Sequence, residues 1–383
     1  MKNKSEIENI KNIPSPAWIL EEKLLENNLN ILEDIQNKSD AKILLALKGY
    51  SLWASFPQIS KTLKGCCASS LWEAKLAYDE FNKEVHTYSP AFKEKEIEEI
   101  AKISNHIVFN SPNQFKQFSN KALEINPNIS LGIRINPEYS SSPVEMYNPC
   151  GIFSRLGTTA KNFDEDILDT CNGFHFHALC EESAESLEKV LDQFEAKFEK
   201  YLYNLEWINF GGGHHITKDG YDIEKLISLI TKFKEKYNVE IYLELGEAVG
   251  WETGSLVATV LDIVNNNMNI AILDISAEAH LPDTIIMPYR AEVRGASKAN
   301  KKDYTYRLSG NSCLAGDIMG DYSFDNPLKI GDTVIFEDQI HYTMVKSTTF
   351  NGVSMPSICI LDKNGNLKVI REFEYNDFKH RLS

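Results

Sequence analysis

The stretch Ile43-Leu44-Leu45-Ala46-Leu47-Lys48-Gly49-Tyr50 decides how the rest of the chain is read. An apolar run closed by a lysine and a glycine is the pattern of a strand buried on both faces, as in a parallel sheet or barrel, and not of a half-exposed hairpin. Lys48 stands at the C-terminal end of that strand. In a barrel of alternating strands and helices, that is the end where side chains face a ligand and catalytic groups collect. A desolvated lysine amine has a lowered pKa and acts as a nucleophile toward an aldehyde, the start of a Schiff base. The alternative is a lysine that snorkels from a strand end to water.

Outward from this strand the same alternation repeats. Helical periodicity is predicted over Glu21–Gln36, Leu52–Leu63, Leu71–Phe81, Glu94–Ile103, Pro112–Ile125, Glu182–Tyr203 and Ile223–Tyr237. Short apolar strands fall at Gly65–Ser69, Val85–Ser89, His106–Asn110, Ser130–Asn136, Gly173–Leu179, Trp207–Gly211 and Val239–Leu245. With the Lys48 strand this makes eight, and strict alternation of that count predicts an α/β fold, a closed (β/α)8 TIM-like barrel with right-handed crossovers. An open doubly wound sheet is the competitor, and it needs fewer units.

Beyond about Thr253 the texture changes to short strand-like runs at Val257–Val264, Ile270–Ser276, Thr305–Ser309, Thr333–Phe336, Tyr342–Val345 and Ser357–Leu361. Asp362-Lys363-Asn364-Gly365 has hairpin chemistry, since Asn-Gly suits positive φ. The charged segment Glu292–Asp303 reads as an exposed loop. The predicted organisation is an N-terminal segment, 1–20, packing with the β domain, a barrel over 21–252 and a C-terminal β-rich domain over 253–383.

A chain of 383 residues supports two cores, and 43% apolar with 25% charged residues is ordinary for a globular protein. Acidic residues outnumber basic ones by 55 to 40, a formal charge of -15 that disfavours nucleic acid and anionic membrane and suits a cationic substrate. Met1–Asn12 is polar and carries no secretory core, and no later run approaches membrane-spanning length, so a cytoplasmic location is expected. Seven cysteines without repeated spacing fit a reducing compartment. Cys66-Cys67 has neither metal-binding nor redox spacing.

Phe210-Gly211-Gly212-Gly213-His214-His215 follows the seventh strand, where three glycines bare backbone amides that can converge on an anion such as phosphate. A flexible turn is the other reading. His175 and His177 share one face of strand six, with His177 nearer the active mouth. They fit a metal pair, an imidazole stacked on an aromatic cofactor, or, most simply for His175, a buried hydrogen-bonded ring. Barrel hydrolases of the metal type usually carry such a pair on the first strand instead. Glu244, closing strand eight, fits a carboxylate that keeps a pyridine nitrogen protonated, or a barrel-end acid paired with a nearby base; its apolar neighbours demand a cationic partner. In the second domain, Gly310-Asn311-Ser312-Cys313-Leu314-Ala315-Gly316-Asp317 places a thiol and a carboxylate in a turn-rich loop.

Several stretches occur together and in order: Leu45-Ala46-Leu47-Lys48-Gly49, Tyr147-Asn148-Pro149-Cys150-Gly151 with Ser154-Arg155-Leu156-Gly157, Phe176-His177-Ala178-Leu179-Cys180-Glu181, the Gly-Gly-Gly-His-His run, Met287-Pro288-Tyr289 and Cys313-Leu314-Ala315-Gly316-Asp317. From about Pro14 to Phe373 the chain resembles the fold-type III pyridoxal phosphate decarboxylases, the group of ornithine and diaminopimelate decarboxylases with an alanine racemase-like barrel. Within the group it is most similar to the branch acting on carboxyspermidine and carboxynorspermidine in polyamine synthesis. The resemblance implies that pyridoxal 5'-phosphate is bound covalently by Lys48, that His177 stacks on its ring, and that Glu244 meets its pyridine nitrogen. It implies Gly211, Gly212 and Gly213, with Tyr342, at the phosphate. Cys313 and Asp317 are implied to enter from the other subunit of an obligate homodimer, the thiol as proton donor and the carboxylate as acceptor of a substrate amine. Cys180 and Glu247 replace a serine and an arginine usual in ornithine and diaminopimelate decarboxylases, and both departures point to the carboxypolyamine branch. Leu245 replaces a proline common after the pyridine-binding glutamate.

Carboxypolyamines carry amines along an extended chain, so acids are expected to line their groove: Asp317, with Asp283 and Glu181 beside matched motifs. The rivals are a metal-dependent barrel hydrolase using His175, His177, His214 and His215, and a degenerate homologue that binds a partner. Retention of Lys48, Cys313 and Asp317 argues against the latter.

Overall fold

The computed structural model describes residues 5–7, 13–142 and 144–383. The polar start Met1–Asn12 therefore lies, except for 5–7, outside the described residues. The chain divides into two compact units, one of Asn28–Val249 and one that joins Gly250–Ser383 to the chain start up to Asn27.

The first strand, β1 (Ala17–Glu21), belongs to the second of these units. The barrel strands follow as β2 (Lys42–Ala46), β3 (Gly65–Ala68), β4 (Glu84–Tyr88), β5 (His106–Phe109), β6 (Ser130–Arg134), β7 (Gly173–His175), β8 (Trp207–Asn209) and β9 (Glu240–Leu245). They pair in parallel in chain order, and β9 closes on β2 through pairs such as Leu44 with Glu244. The closed eight-stranded barrel read from the sequence is the fold observed.

Side-chain oxygens start the crossover helices. Ser70, Ser111, Ser183 and Asp222 each accept a backbone N–H three residues on, opening the helices Leu71–Leu76, Pro112–Ile125, Ala184–Leu202 and Ile223–Tyr237. Each satisfies one donor that the first turn leaves orphaned. The helix read at Leu52–Leu63 is shorter, a 3-10 turn Trp53–Ser55 leading into Phe56–Ile59. Among the described residues between β6 and β7 only single 3-10 turns form, at Glu145–Tyr147, Ala160–Asn162 and Glu165–Ile167. Pro137, Pro149, Gly151 and Gly157 punctuate that stretch and prevent a longer run.

Phe174, Phe194, Phe198, Phe210 and Phe233 pack ring against ring between the outer helices and the barrel wall. Inside the barrel, Trp207 occupies room left by glycines on the two preceding strands, β6 and β7. A Cβ on Gly132 or Gly173 would lie 2.4 or 2.1 Å from its ring atoms.

The second unit is a mixed sheet. Its strands after β1 are β10 (Gly254–Asn265), β11 (Asn269–Leu273), β12 (Ser297–Lys298), β13 (Tyr304–Ser309), β14 (Ile318–Phe324), β15 (Thr333–Phe336), β16 (Ser357–Leu361) and β17 (Leu367–Arg371). Among the described residues the order is β12-β14-β13-β11-β10-β1-β16-β17, with β15 also on β10. Three details differ from the sequence reading. Tyr342–Val345 is a helical turn, not a strand, because four residues are too few to carry a period that separates the two. β14 went unread because Gly320 and Asp321 interrupt its apolar pattern; Asp321 is accommodated by an ion pair to Arg307 on β13 at 2.8 Å. The charged segment Glu292–Asp303 contributes β12, paired with β14.

Candidate active site

The barrel gathers its chemistry where its strands end. After β2 the chain turns at once, Gly49 and Tyr50 both donating to the Ala46 carbonyl at 3.0 and 3.1 Å. This turn presents Lys48, which keeps accessible surface. Crowding by protein atoms pushes its pKa below the ordinary lysine range; the carboxylate of Glu244 opposes this and the charge of Arg134 adds to it. The amine is thereby biased toward its neutral, nucleophilic form.

Glu244, near the end of β9, is held ionised. Burial works against the charge, yet His175, Lys48 and His86 together bring its pKa down to about 2. One carboxylate oxygen accepts from Asn209 Nδ2 at 2.8 Å, and the other lies 3.3 Å from His175 Nε2. Burial lowers the pKa of His175, and the charge and hydrogen bond of Glu244 oppose that shift. Of the readings open for His175, the structure adopts the buried hydrogen-bonded ring.

His177 is fixed by the glycine run. The Gly212 amide donates to His177 Nδ1 at 2.9 Å, so the ring proton sits on Nε2. Its pKa lies well below the usual value, from burial first and then from Lys48 and Arg134. Arg134, 5% exposed at the end of β6, donates to the His177 carbonyl at 3.2 Å and stacks over Tyr88 at 4.8 Å.

The glycines are required for close approach. A Cβ on Gly212 would stand 2.1 Å from the Glu244 carbonyl, and one on Gly213 2.1 Å from that of Leu179. Gly211 and Gly213 have φ of 69° and 84°. The amides, however, do not all face one spot. Gly211 donates to Asn209 Oδ1 at 2.8 Å and Gly212 to His177, so two of the three brace the site's own side chains, leaving the amides of Gly213 and His214 outside that network.

Glu181 has a φ of 57° and forms with His215 and Glu247 a group whose ligand atoms lie within 4.8 Å of one another; His215 and Glu247 are 3.7 Å apart. The four histidines of the metal-hydrolase reading do not converge among the described residues: His175 faces Glu244, His177 faces Gly212 and His214 lies 3.4 Å from the Tyr221 hydroxyl.

The structure thus brings Lys48, His177, Glu244, the glycine run and Glu181 together on the barrel unit. Cys313, Asp317, Asp283 and Tyr342 belong to the sheet unit. Cys313 is exposed, its amide donating to Asn351 Oδ1 at 2.7 Å. Asp283 is ion-paired with Lys346. Tyr342 opens the short helix Tyr342–Val345. Asp317 is 1% exposed, and both its carboxylate oxygens accept backbone amides. Asn209 and Arg134 were missed at the sequence level, although each is a polar residue ending an apolar strand, the signal that singled out Lys48.

A lysine of lowered pKa, an acid held ionised at depth and a glycine run no Cβ can enter fit a pyridine aldehyde carrying phosphate. Residues 45–339 match the family described as pyridoxal-dependent decarboxylase, C-terminal sheet domain. The chain belongs to the pyridoxal-dependent decarboxylases. It is 54% identical, over 96% of its length and 98% of the relative's, to a carboxynorspermidine/carboxyspermidine decarboxylase of Campylobacter jejuni. A carboxyaminopropylagmatine decarboxylase of Synechocystis is 45% identical over 97% of this chain and 96% of its own. The crystal structure of carboxynorspermidine decarboxylase complexed with norspermidine, from Campylobacter jejuni, superposes with a TM-score of 0.90 at 53% identity, covering 96% of this chain and all of that one. This decarboxylase accordingly uses pyridoxal phosphate and has an alanine racemase-type barrel. No helix among its described residues is long and apolar enough to cross a membrane.

Proposed function

We propose that the chain decarboxylates carboxyspermidine or carboxynorspermidine to spermidine or norspermidine. The observation that carries this reading is the 54% identity, over nearly the whole of both chains, to a relative named for those two substrates. The replacement of the usual arginine by Glu247 supports it, because an acid beside Glu181 suits an elongated polycation.

Lys48, His177, Gly211, Gly212, Gly213, Glu244 and Tyr342 would hold the cofactor. Bound pyridoxal phosphate supplies an electron sink for the pair released when carbon dioxide leaves. Lys48, its pKa lowered, would hold the cofactor through its amine and could exchange protons with the substrate amine. Glu244 stays charged and favours a protonated ring nitrogen, while neutral His177 offers a flat face without adding positive charge. The Cys313 thiol delivers its proton to the carbon that has lost carbon dioxide. We assign Cys313 to the second subunit of a homodimer, and Glu181 to the substrate's distal amines. Asp283 is the weaker candidate, since Lys346 already neutralises it.

A second reading rests on the Synechocystis relative: a substrate ending in guanidinium in place of ammonium. Turnover of purified enzyme on carboxyspermidine, carboxynorspermidine, carboxyaminopropylagmatine, diaminopimelate and ornithine separates these. The first two are expected to lead in kcat/KM and to differ from each other by no more than about 200-fold, the discrimination of one methylene. A lead by diaminopimelate or ornithine overturns the reading. Borohydride reduction and peptide mapping should place the cofactor on Lys48.

A further inference from the structure

We infer that Asp317 is a positioning residue for Cys313, holding the loop that carries the thiol, and does not receive a substrate amine. This rests on the proposed role of Cys313 as proton donor. Asp317 is 1% exposed. One carboxylate oxygen accepts from the Ala277 amide at 2.5 Å and the other from the Ser312 amide at 3.0 Å, the residue directly before the thiol. Its carbonyl accepts from the Gly310 amide at 2.9 Å and from the Ser309 hydroxyl at 2.7 Å. The loop from Gly310 to Asp317 is thus closed at its ends by the main chain and across its middle by the carboxylate.

Gly310 makes this closure possible. A Cβ there would fall 2.3 Å from one carboxylate oxygen, so a side chain at 310 evicts Asp317. On the far side Cys313 hangs from Asn351 through its own amide. With both oxygens accepting backbone amides and only 1% of the residue exposed, the carboxylate is turned into the loop and would have to give up these bonds to reach a substrate ammonium. Cys313 is among the exposed residues of this loop, whereas Asp317 is buried.

The two roles separate in kinetics. Loss of a substrate contact appears in KM, whereas a displaced proton donor lowers kcat and spares KM. Ala277→Pro is the discriminating variant, because it deletes an amide that holds Asp317 while leaving the carboxylate's charge. Ala277 is the first residue of the helix Ala277–His280, where proline is tolerated, and Ser276 before it is already extended at φ -135° and ψ 136°. In the holoenzyme, Asp317→Asn and Ala277→Pro are each expected to lower kcat about 10- to 100-fold with KM within about twofold. Both should change the rate at which iodoacetamide labels Cys313, read by peptide mass. Added to Cys313→Ala, neither should lower kcat further. A KM raised tenfold or more by Asp317→Asn with kcat kept, or an unchanged labelling rate in both variants, overturns the inference. Full activity in Cys313→Ala would instead overturn the role of the thiol, and the labelling rates would still report on the brace.

Discussion

At the C-terminal end of the barrel Glu244 meets His175 at 3.3 Å, with Lys48 nearby; at the N-terminal end Glu84 meets His86 at 3.1 Å, and His106 stacks on His86 with centroids 3.8 Å apart. Both acids are buried enough for desolvation to oppose their charge, and in both an imidazole partner prevails and lowers the pKa. The difference lies in what surrounds them. The lower pair is packed against Tyr242 and Trp207 within filled core. The upper pair lies beside a glycine run that lets backbone segments approach closely, and beside Lys48, whose pKa is lowered. A carboxylate–imidazole contact is therefore no mark of an active site by itself. A lysine amine of lowered pKa acting on the acid is what distinguishes the upper end from the lower.

Removing the reactive group should give the largest effect on this contrast. Lys48→Ala is expected to lose at least about a thousandfold in kcat and the absorbance of covalently bound cofactor, measured by single-turnover assay and spectrum. Neutralising each acid comes next. Glu244→Gln should cost about 100- to 1000-fold in kcat, while Glu84→Gln stays within about threefold and loses roughly 1 kcal/mol of stability or less, because part of that pair is open to solvent. Equal losses would erase the distinction.

Smaller in activity are substitutions at the tightly packed glycines of the two ends. Gly173→Ala should destabilise by about 1 to 3 kcal/mol through Trp207 without changing KM. Gly212→Ala should instead weaken cofactor retention, measured by dialysis against apoenzyme formation. A pH effect follows from Glu244. Its pKa is lower folded than unfolded, so its charge adds stability above the ordinary value of 4.5, and that contribution is lost as pH falls toward about 2. Urea midpoints of Glu244→Gln should therefore depend less on pH across that window than those of the wild type. The smallest expected effect is that of a chelator, which should leave kcat unchanged, because the histidines of the metal reading do not share a centre.

The strand at Lys48 was legible because an apolar run with a terminal charge has few interpretations. The alternation that follows gave the barrel for the same reason. Less was legible where geometry assigns the role. The glycine run was read as an anion cradle, yet Asn209 and His177 take two of its amides, and no local pattern marks a side chain that folds back from another strand. Asp317 reads as a substrate-binding acid by resemblance alone; no local pattern foretells that its carboxylate accepts from Ala277 of a separate segment, with Gly310 packed against it.

The order of residues alone determined the closed barrel, the lysine at a strand end and the acid at another, since hydrophobic period and strand polarity are local properties that burial must respect. Tertiary structure decided which polar groups face the open mouth and which are consumed in holding it, because hydrogen-bond partners distant in the chain compete for the same donors, and only the folded backbone settles who meets whom.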